Sequence, residues 1–388
     1  MLREWCARNW SVVRPLFGIG VGLLLAGIIM MASGFHPLAA YSALWSGATG
    51  LEAGAAVGPN AIKLGSGHIN LFLLAQSLGN VTPLILTGLA ISVALRAGMF
   101  NVGAQGQMTV GALTAAAVGE IGRNRLTGDG TLPPGLHVML VLVAGAVAGA
   151  VWGALPGLLK AKRGVHEVIS TIMLNFVAMD VVLYLVTHSL KDDSPGNQAA
   201  QSSLMATSSW LYPYIQGSNL TAGLPIALIL TLLITLFIHR TSPGYQIRAV
   251  GQGLEAARAN GVQVSRVLIG TLALSGAIAG VAGAVEVMGI HHRYVGGVAG
   301  SAGFDGIAVA LLGNLSGVGV LLSAIFFGAL SSGSLYMQTN TNVPAPISEI
   351  VQATVIILAG MKIALTSKMK PVNLLEPERE KELPDGVL

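Results

Sequence analysis

The residues of this chain best suited to chemistry are amides, hydroxyls and a few acids set at helical spacing among apolar runs. Gly98-Met99-Phe100-Asn101-Val102-Gly103-Ala104-Gln105-Gly106-Gln107 interleaves amides with glycines. Asn101, Gln105 and Gln107 donate and accept hydrogen bonds without carrying charge. Irregular backbone at membrane depth persists only where protein or a water-filled cavity satisfies it. Two readings fit. One is a broken helix beside a pathway for a neutral polar solute. The other is a tight interfacial turn whose amides cap helix ends. Glu167, Thr171 and Asn175 recur every four residues and so share a helix face. A polar stripe on an apolar helix faces the bundle interior. It either lines a path or bonds a neighbouring helix. Asp180 lies further along that run and is costly there unless paired. Glu286, near the end of another apolar run, is a functional candidate in a membrane. It is also a partner for Arg293 one to two turns later, and burial cost favours that pairing. Asp305 and Asn314 are weaker cases of the same kind.

Other chemistries lack their residues. A P-loop needs Gly-Lys followed by Ser or Thr, and no Lys here precedes either. His166-Glu167-Val168-Ile169-Ser170 begins like a zinc-protease helix but lacks the second His. There is no GxSxG nucleophile turn. Cys6 is the single cysteine, so neither an intrachain disulfide nor a cysteine metal site is possible. His291, His292 and Ser301 suggest a hydrolase dyad by proximity alone. The plainer reading is polar residues in an outer loop. The expectation is a non-enzymatic chain with no catalytic residues, metal or cofactor.

The most distinctive polar stretch is Thr241–Arg266, between two long apolar runs. Gln252 to Asn260 holds good helix formers, preceded by Gly251 and Gly253 and followed by Gly261, which suits a helix stop. Glu255 and Arg258 lie at the ends that favour their charges and form an i,i+3 pair. Ala256, Ala257 and Ala259 leave a small, smooth surface. Such a helix fits a partner's groove and transmits its movement. A plain connecting loop is the alternative.

The elements that position these residues follow from composition. Hydrophobic residues make up 53% of the 388 and charged residues 10%, against about 25% charged in soluble domains. The 51 glycines suit close helix packing in lipid. Net charge is +4, which here reflects where Lys and Arg sit rather than affinity for nucleic acid. With about 20 residues per span, the candidates are Leu16–Met31, Leu71–Leu95, Gln105–Ile121, Leu136–Leu159, Val168–His188, Leu224–Ile238, Val267–Met288, Phe304–Leu315, Val318–Tyr336 and Ile347–Ala364. The first reads as a retained helix rather than a cleaved signal. The spans starting at Gln105 and Phe304 are short and glycine-rich, as in half-helices or re-entrant segments.

The fold class is therefore all-α integral membrane: a polytopic bundle of about ten helices with broken segments and a cytoplasmic coupling helix. Sixteen of the 21 Lys and Arg fall on one side, which the positive-inside rule makes cytoplasmic, with both termini. Residues 1–14 form a cytoplasmic segment, 15–366 the transmembrane unit with a coupling loop at 239–266, and 367–388 a charged tail. Loops Ser33–Asn70 and Lys191–Gly223 offer an outer surface to an external partner. The stretches after Gly98 and after Gly303 occupy similar places in the two halves, which hints at an internal repeat.

At this point several segments resemble a known family. GYQIRAVGQGLEAARANGV followed by LALSGAIAGVAGA is similar to the cytoplasmic coupling region of ABC importer permeases of the ribose, branched-chain amino acid and nucleoside class. GMFNVGAQGQMTVGA and GFDGIAVALLGN resemble that family's glycine-rich segments, and HEVISTIMLNFVA resembles its nucleoside branch. The likeness runs from about Leu71 to Ala364. It implies a permease subunit in a bacterial cytoplasmic membrane that pairs with a second permease, as a homodimer or heterodimer. It also implies a separate ABC ATPase and a substrate-binding lipoprotein. Carried onto this chain, Glu255, Ala256, Ala257, Arg258 and Gly261 contact the ATPase. Asn101, Gln105, Gln107, Thr171 and Asn175 lie near the pathway. Gln105 stands where an acidic residue is common in the nucleoside branch.

The resulting expectation is alternating access driven by ATP from outside this chain, with a nucleoside as cargo. A simple sugar such as ribose is the alternative. An ion-coupled secondary transporter is the rival class and would show paired intramembrane carboxylates without needing the loop helix.

Overall fold

The computed structural model describes residues 10–53, 60–64, 67–123, 132–192 and 199–355. The tail 367–388, Arg125, and the part of Ile347–Ala364 beyond residue 355 lie outside the described residues.

Helices dominate. In chain order they are α1 Trp10–Ala32, α2 Pro37–Thr49, α3 Leu71–Arg96, α4 Ala104–Gly119, α5 Pro134–Arg163, α6 Glu167–His188, α7 Gly223–Arg240, α8 Ser242–Gln252, α9 Leu254–Ala259, α10 Val264–Glu286, α11 Ala302–Leu312 and α12 Gly317–Thr341. A π-helical turn, Val287–His291, prolongs α10, and residues 345–355 are helical again. Six of these elements are long and apolar enough to cross a membrane: α3, α5, α6, α7, α10 with its π turn, and α12. They match six of the ten expected spans. The short segments predicted from Gln105 and Phe304 are the 16-residue α4 and the 11-residue α11. At 1.5 Å per residue, α11 runs only about 16 Å, half a bilayer core.

Helices α3 and α10 are mostly buried, whereas α5, α6 and α7 turn apolar side chains such as Val143, Val147, Val151 and Phe176 outward. That apolar belt is what lipid covers; a soluble monomer rarely exposes so much. The two central layers meet along a glycine seam. Gly145, Gly149, Gly153 and Gly157 recur every four residues on one face of α5 and pack on α10. A Cβ on Gly149 would sit 2.2 Å from the Gly276 carbonyl oxygen, and one on Gly280 would sit 2.1 Å from that of Gly145. Only glycine lets these backbones touch.

Caps fix the helix ends. The Asn70 side chain accepts from the amides of Phe72 and Leu73 to start α3. Thr241 accepts from Gly244 to start α8, and Ser316 accepts from Gly319 to start α12. Arg96 closes the other end of α3, with Nε and Nη2 donating to the Leu315 carbonyl at 3.0 and 2.6 Å. That end of the bundle also carries Lys160, Arg248 and Arg258, and is called the basic end below.

Two expectations need correction. Ser33–Asn70 is not a plain loop. It folds into α2 and a small antiparallel sheet of β1 Leu51–Ala53, β2 Ala61–Leu64 and β3 Gly67–Asn70, in the order β1-β3-β2. Strands this short in a polar segment leave no periodic signal. Nor is Gln252–Asn260 one helix, because an extended Gly253 separates α8 from the six-residue α9.

At the end opposite the basic one, Glu52 of β1 anchors the sheet. Its carboxylate accepts from Tyr336 Oη of α12 at 2.6 Å and from Asn70 Nδ2 at 3.3 Å, and pairs with His68 Nε2 at 3.0 Å. Burial pushes the Glu52 pKa up, but the bonds from Tyr336, Asn70 and His68 outweigh it and hold the acid below its ordinary value.

Candidate functional site

The segment between α3 and α4 is a genuine break. After Arg96 the chain leaves the helix, passes Gly98 at φ 73°, and restarts at Ala104. Asn101 is fully buried and ties the break together. Its Nδ2 donates to Gln107 Oε1 at 2.9 Å and to Ser275 Oγ at 2.8 Å, and its Oδ1 accepts from the Gly103 amide at 2.9 Å. Ser275 of α10 donates onward to the Ala90 carbonyl at 2.6 Å. Asn175 of α6 accepts from the Gly106 amide at 2.8 Å and donates to the Val102 carbonyl at 3.0 Å, which caps the start of α4. Thr171, one turn earlier on the same buried face, returns its hydroxyl to the Glu167 carbonyl. Glu167 itself accepts from Lys160 Nζ.

The start of α4 meets the start of α11, the other short helix. Gln105 joins them, donating to the Gly300 carbonyl at 2.7 Å and accepting from the Gly303 amide at 2.9 Å. Two short helices thus abut at their N-termini within the bundle. All five amides and hydroxyls singled out from sequence are bonded within the protein. Gln105 also lines a cavity.

That cavity, about 270 Å³, is bounded by Gln105, Thr109, Asp180, Leu183 and Tyr294 and is mostly apolar. The glycine-rich wall Val298–Gly300 separates it from a second, more polar cavity of about 170 Å³ between α3, α10, α11 and α12. Asn80, Glu286, Ser301, Asp305, Ser331 and Gln352 supply the polar lining there. The expected pairing of Glu286 with Arg293 does not form. Arg293 Nη1 instead bonds Asp192 Oδ2 at 3.0 Å, a partner 101 residues away that spacing could not indicate. Nor do His291, His292 and Ser301 make a dyad: Ser301 donates to Asp305 at 2.6 Å, and His292 Nδ1 lies 3.0 Å from the Met288 carbonyl. Among the described residues no group of three or more acids, His or Cys could hold a metal ion.

Sequence reading missed Ser275, Asn80, Ser331 and Gln352. Asn80 and Ser331 were visible as polar interruptions of apolar runs, the same signal that singled out Asn175.

At the basic end, Glu255, Ala256, Arg258 and Gly261 face outward, while Ala257 turns inward. Ala257 packs in an apolar cluster with Ala94, Ala97, Met99, Val250, Leu268 and Leu272. It helps pack α9 against α8 and α10. Arg258 Nη1 meets Glu255 at 3.1 Å, and Gly261, at φ 80°, ends the turn as expected.

The comparisons with known proteins agree with this architecture. Residues 73–360 match the family model described as "Branched-chain amino acid transport system / permease component". The guanosine ABC transporter permease protein NupP of Bacillus subtilis (strain 168) is 35% identical over 90% of this chain and 93% of its own length. The nucleoside ABC transporter permease protein NupB of Lactococcus lactis subsp. cremoris (strain MG1363) is 32% identical over 96% of this chain and 97% of its own. The glucose ABC transporter permease protein TsgB13 of Haloferax volcanii is 31% identical over 91% and 87%. With most of its length matched and its membrane-length helices in place, this chain is a multi-pass membrane protein and belongs to the branched-chain amino acid transport system permease family.

Proposed function

We propose that this chain is a permease subunit of an ATP-driven importer that moves a nucleoside across a bacterial cytoplasmic membrane by alternating access. The observation that carries the cargo is the similarity, over almost full length, to two permeases named for guanosine and nucleosides. The cavity linings support it, since no Lys or Arg that would attract a phosphate is among their described residues. A glucose permease matches slightly less well, so a simple sugar is the alternative cargo.

In this reading the basic end is cytoplasmic, with both termini, and about ten helices span the membrane. ATP hydrolysis belongs to a separate ATPase chain. A second permease completes the pathway, and a substrate-binding lipoprotein delivers cargo at the opposite end. Glu255, Ala256, Arg258 and Gly261 meet the ATPase. Ala257 passes the movement inward through an apolar cluster that includes Met99, inside the broken segment, and Leu272 of α10. Asn101, Gln107, Thr171 and Asn175 shape the wall of the pathway, and Gln105 holds two half-helices at its middle.

The test is the double variant Glu255→Ala with Arg258→Ala in the reconstituted importer. Nucleoside uptake is expected to fall at least tenfold while the complex still hydrolyses ATP. Unchanged ATP-driven uptake would contradict the coupling role. Uptake that ignores ATP and collapses with the proton gradient would favour the ion-coupled rival, whose mark, two carboxylates facing one cavity, is present in Glu286 and Asp305.

A further inference from the structure

The polar cavity between α3, α10, α11 and α12 gathers several side chains whose bonding is left open. Glu286 lines it from the outer end of α10 and bonds no other described residue. Ser331 of α12 and Gln352 of the last helix are equally unengaged. Asn80 uses only its carbonyl oxygen, which accepts from Asn219 Nδ2 at 3.4 Å. Asp305 accepts one bond, from Ser301. A carboxylate inside a membrane protein with no partner is expensive, and such groups persist where they line a solute path.

We infer that this cavity is a holding site for the nucleoside, gripped through its ribose hydroxyls by Glu286 with help from Asp305, Asn80, Ser331 and Gln352. The inference rests on the nucleoside reading above and adds the residues that touch cargo. Three features select the ligand class. Carboxyl oxygens accept hydrogen bonds, so the ligand must bring donors, and a ribose cis-diol brings two at the spacing of one carboxyl group. No Lys, Arg or His is among the described residues that line the cavity, so nothing there holds a phosphate and nucleotides are refused. The volume, about 170 Å³, is below the roughly 300–1,000 Å³ of pockets that enclose a whole drug-sized ligand. It therefore takes the sugar, with the base left in the gap outside.

The experiment uses the complete importer in proteoliposomes, with Cys6→Ser and Ser331→Cys in this chain. The rate at which a membrane-impermeant methanethiosulfonate labels position 331 is followed with inosine, inosine 5′-monophosphate or spermidine. Inosine is expected to slow labelling and its monophosphate to leave it unchanged. Adding Glu286→Ala is expected to raise the inosine concentration for half-protection about tenfold, the worth of one or two hydrogen bonds. Labelling indifferent to inosine overturns the proposal, as does protection that survives Glu286→Ala undiminished or that spermidine alone confers. If Ser331→Cys does not assemble, Ser301→Cys carries the same measurement. ATP-driven inosine uptake in the same vesicles separates the two readings. Uptake without protection sinks the holding site and leaves the importer standing. No ATP-driven uptake of any nucleoside sinks both.

Discussion

Two buried polar regions, both within the helical bundle, are built on opposite plans. Around Asn101 every amide is spent: Gln107, Ser275, the Gly103 amide and, through Asn175, the Gly106 amide all find partners inside the protein. Around Glu286 the groups are held open, and the acid that sequence spacing would have paired with Arg293 is left without it. A sealed network rigidifies and specifies one backbone arrangement. An open one awaits a ligand. Polarity alone does not separate the two plans, since each is an interruption of an apolar helix. What separates them is whether the hydrogen-bond ledger closes.

The largest effect on stability is expected on the sealed side. Asn101→Ala strips partners from Gln107, Ser275 and the Gly103 amide at once, at a cost of about 3 kcal/mol given roughly 1–3 kcal/mol per stranded group. The thermal midpoint of the purified protein in detergent is expected to drop by several degrees. A midpoint equal to that of the unmodified chain would mean the network is not structural.

A smaller effect is tied to pH and lies at the end of the bundle opposite the basic one. Because the Glu52 acid titrates lower in the folded protein than its ordinary value of 4.5, its contribution is complete above that pH and is lost as pH falls towards the lowered value. Glu52→Gln is therefore expected to be destabilising at pH 7, with the gap to the unmodified chain closing below pH 4.5. Melting curves across that range check it, and a gap that widens on acidification would refute the assignment.

The smallest effect on stability belongs to the open side and has the opposite sign. Glu286→Gln replaces an unpaired buried carboxyl with an amide of the same shape that carries no cost of ionisation, so the midpoint should hold or rise slightly. A fall as large as that of Asn101→Ala would erase the contrast between the two regions.

Much of this was legible in the sequence. The break after Gly98 and the polar face Glu167–Thr171–Asn175 stand where spacing put them, whereas the alanine-rich loop helix is cut at Gly253 and keeps only Leu254–Ala259. The six helices of membrane length also stand where spacing put them, because apolar runs of that length are hard to misread. The rest was hidden for physical reasons. Whether an amide is sealed or open depends on partners far away in sequence, such as Ser275 for Asn101 and Asp192 for Arg293. The inward turn of Ala257 depends on the register of a six-residue helix that Gly253 sets. The four-residue glycine repeat of α5 was a readable signal of the seam with α10, but composition alone blurs it into general glycine richness. The small sheet around Glu52 has strands of three or four residues, too short to carry a period.

The central claim is that this chain serves ATP-driven import of nucleosides. The most direct measurement is uptake of radiolabelled guanosine in cells with and without the chain, with ribose and leucine in parallel. The account predicts that guanosine uptake alone is lost without the chain, and equally without the partner ATPase. Loss of ribose or leucine uptake with guanosine untouched would contradict the assigned cargo, and guanosine uptake that persists without any ATPase would contradict the mechanism.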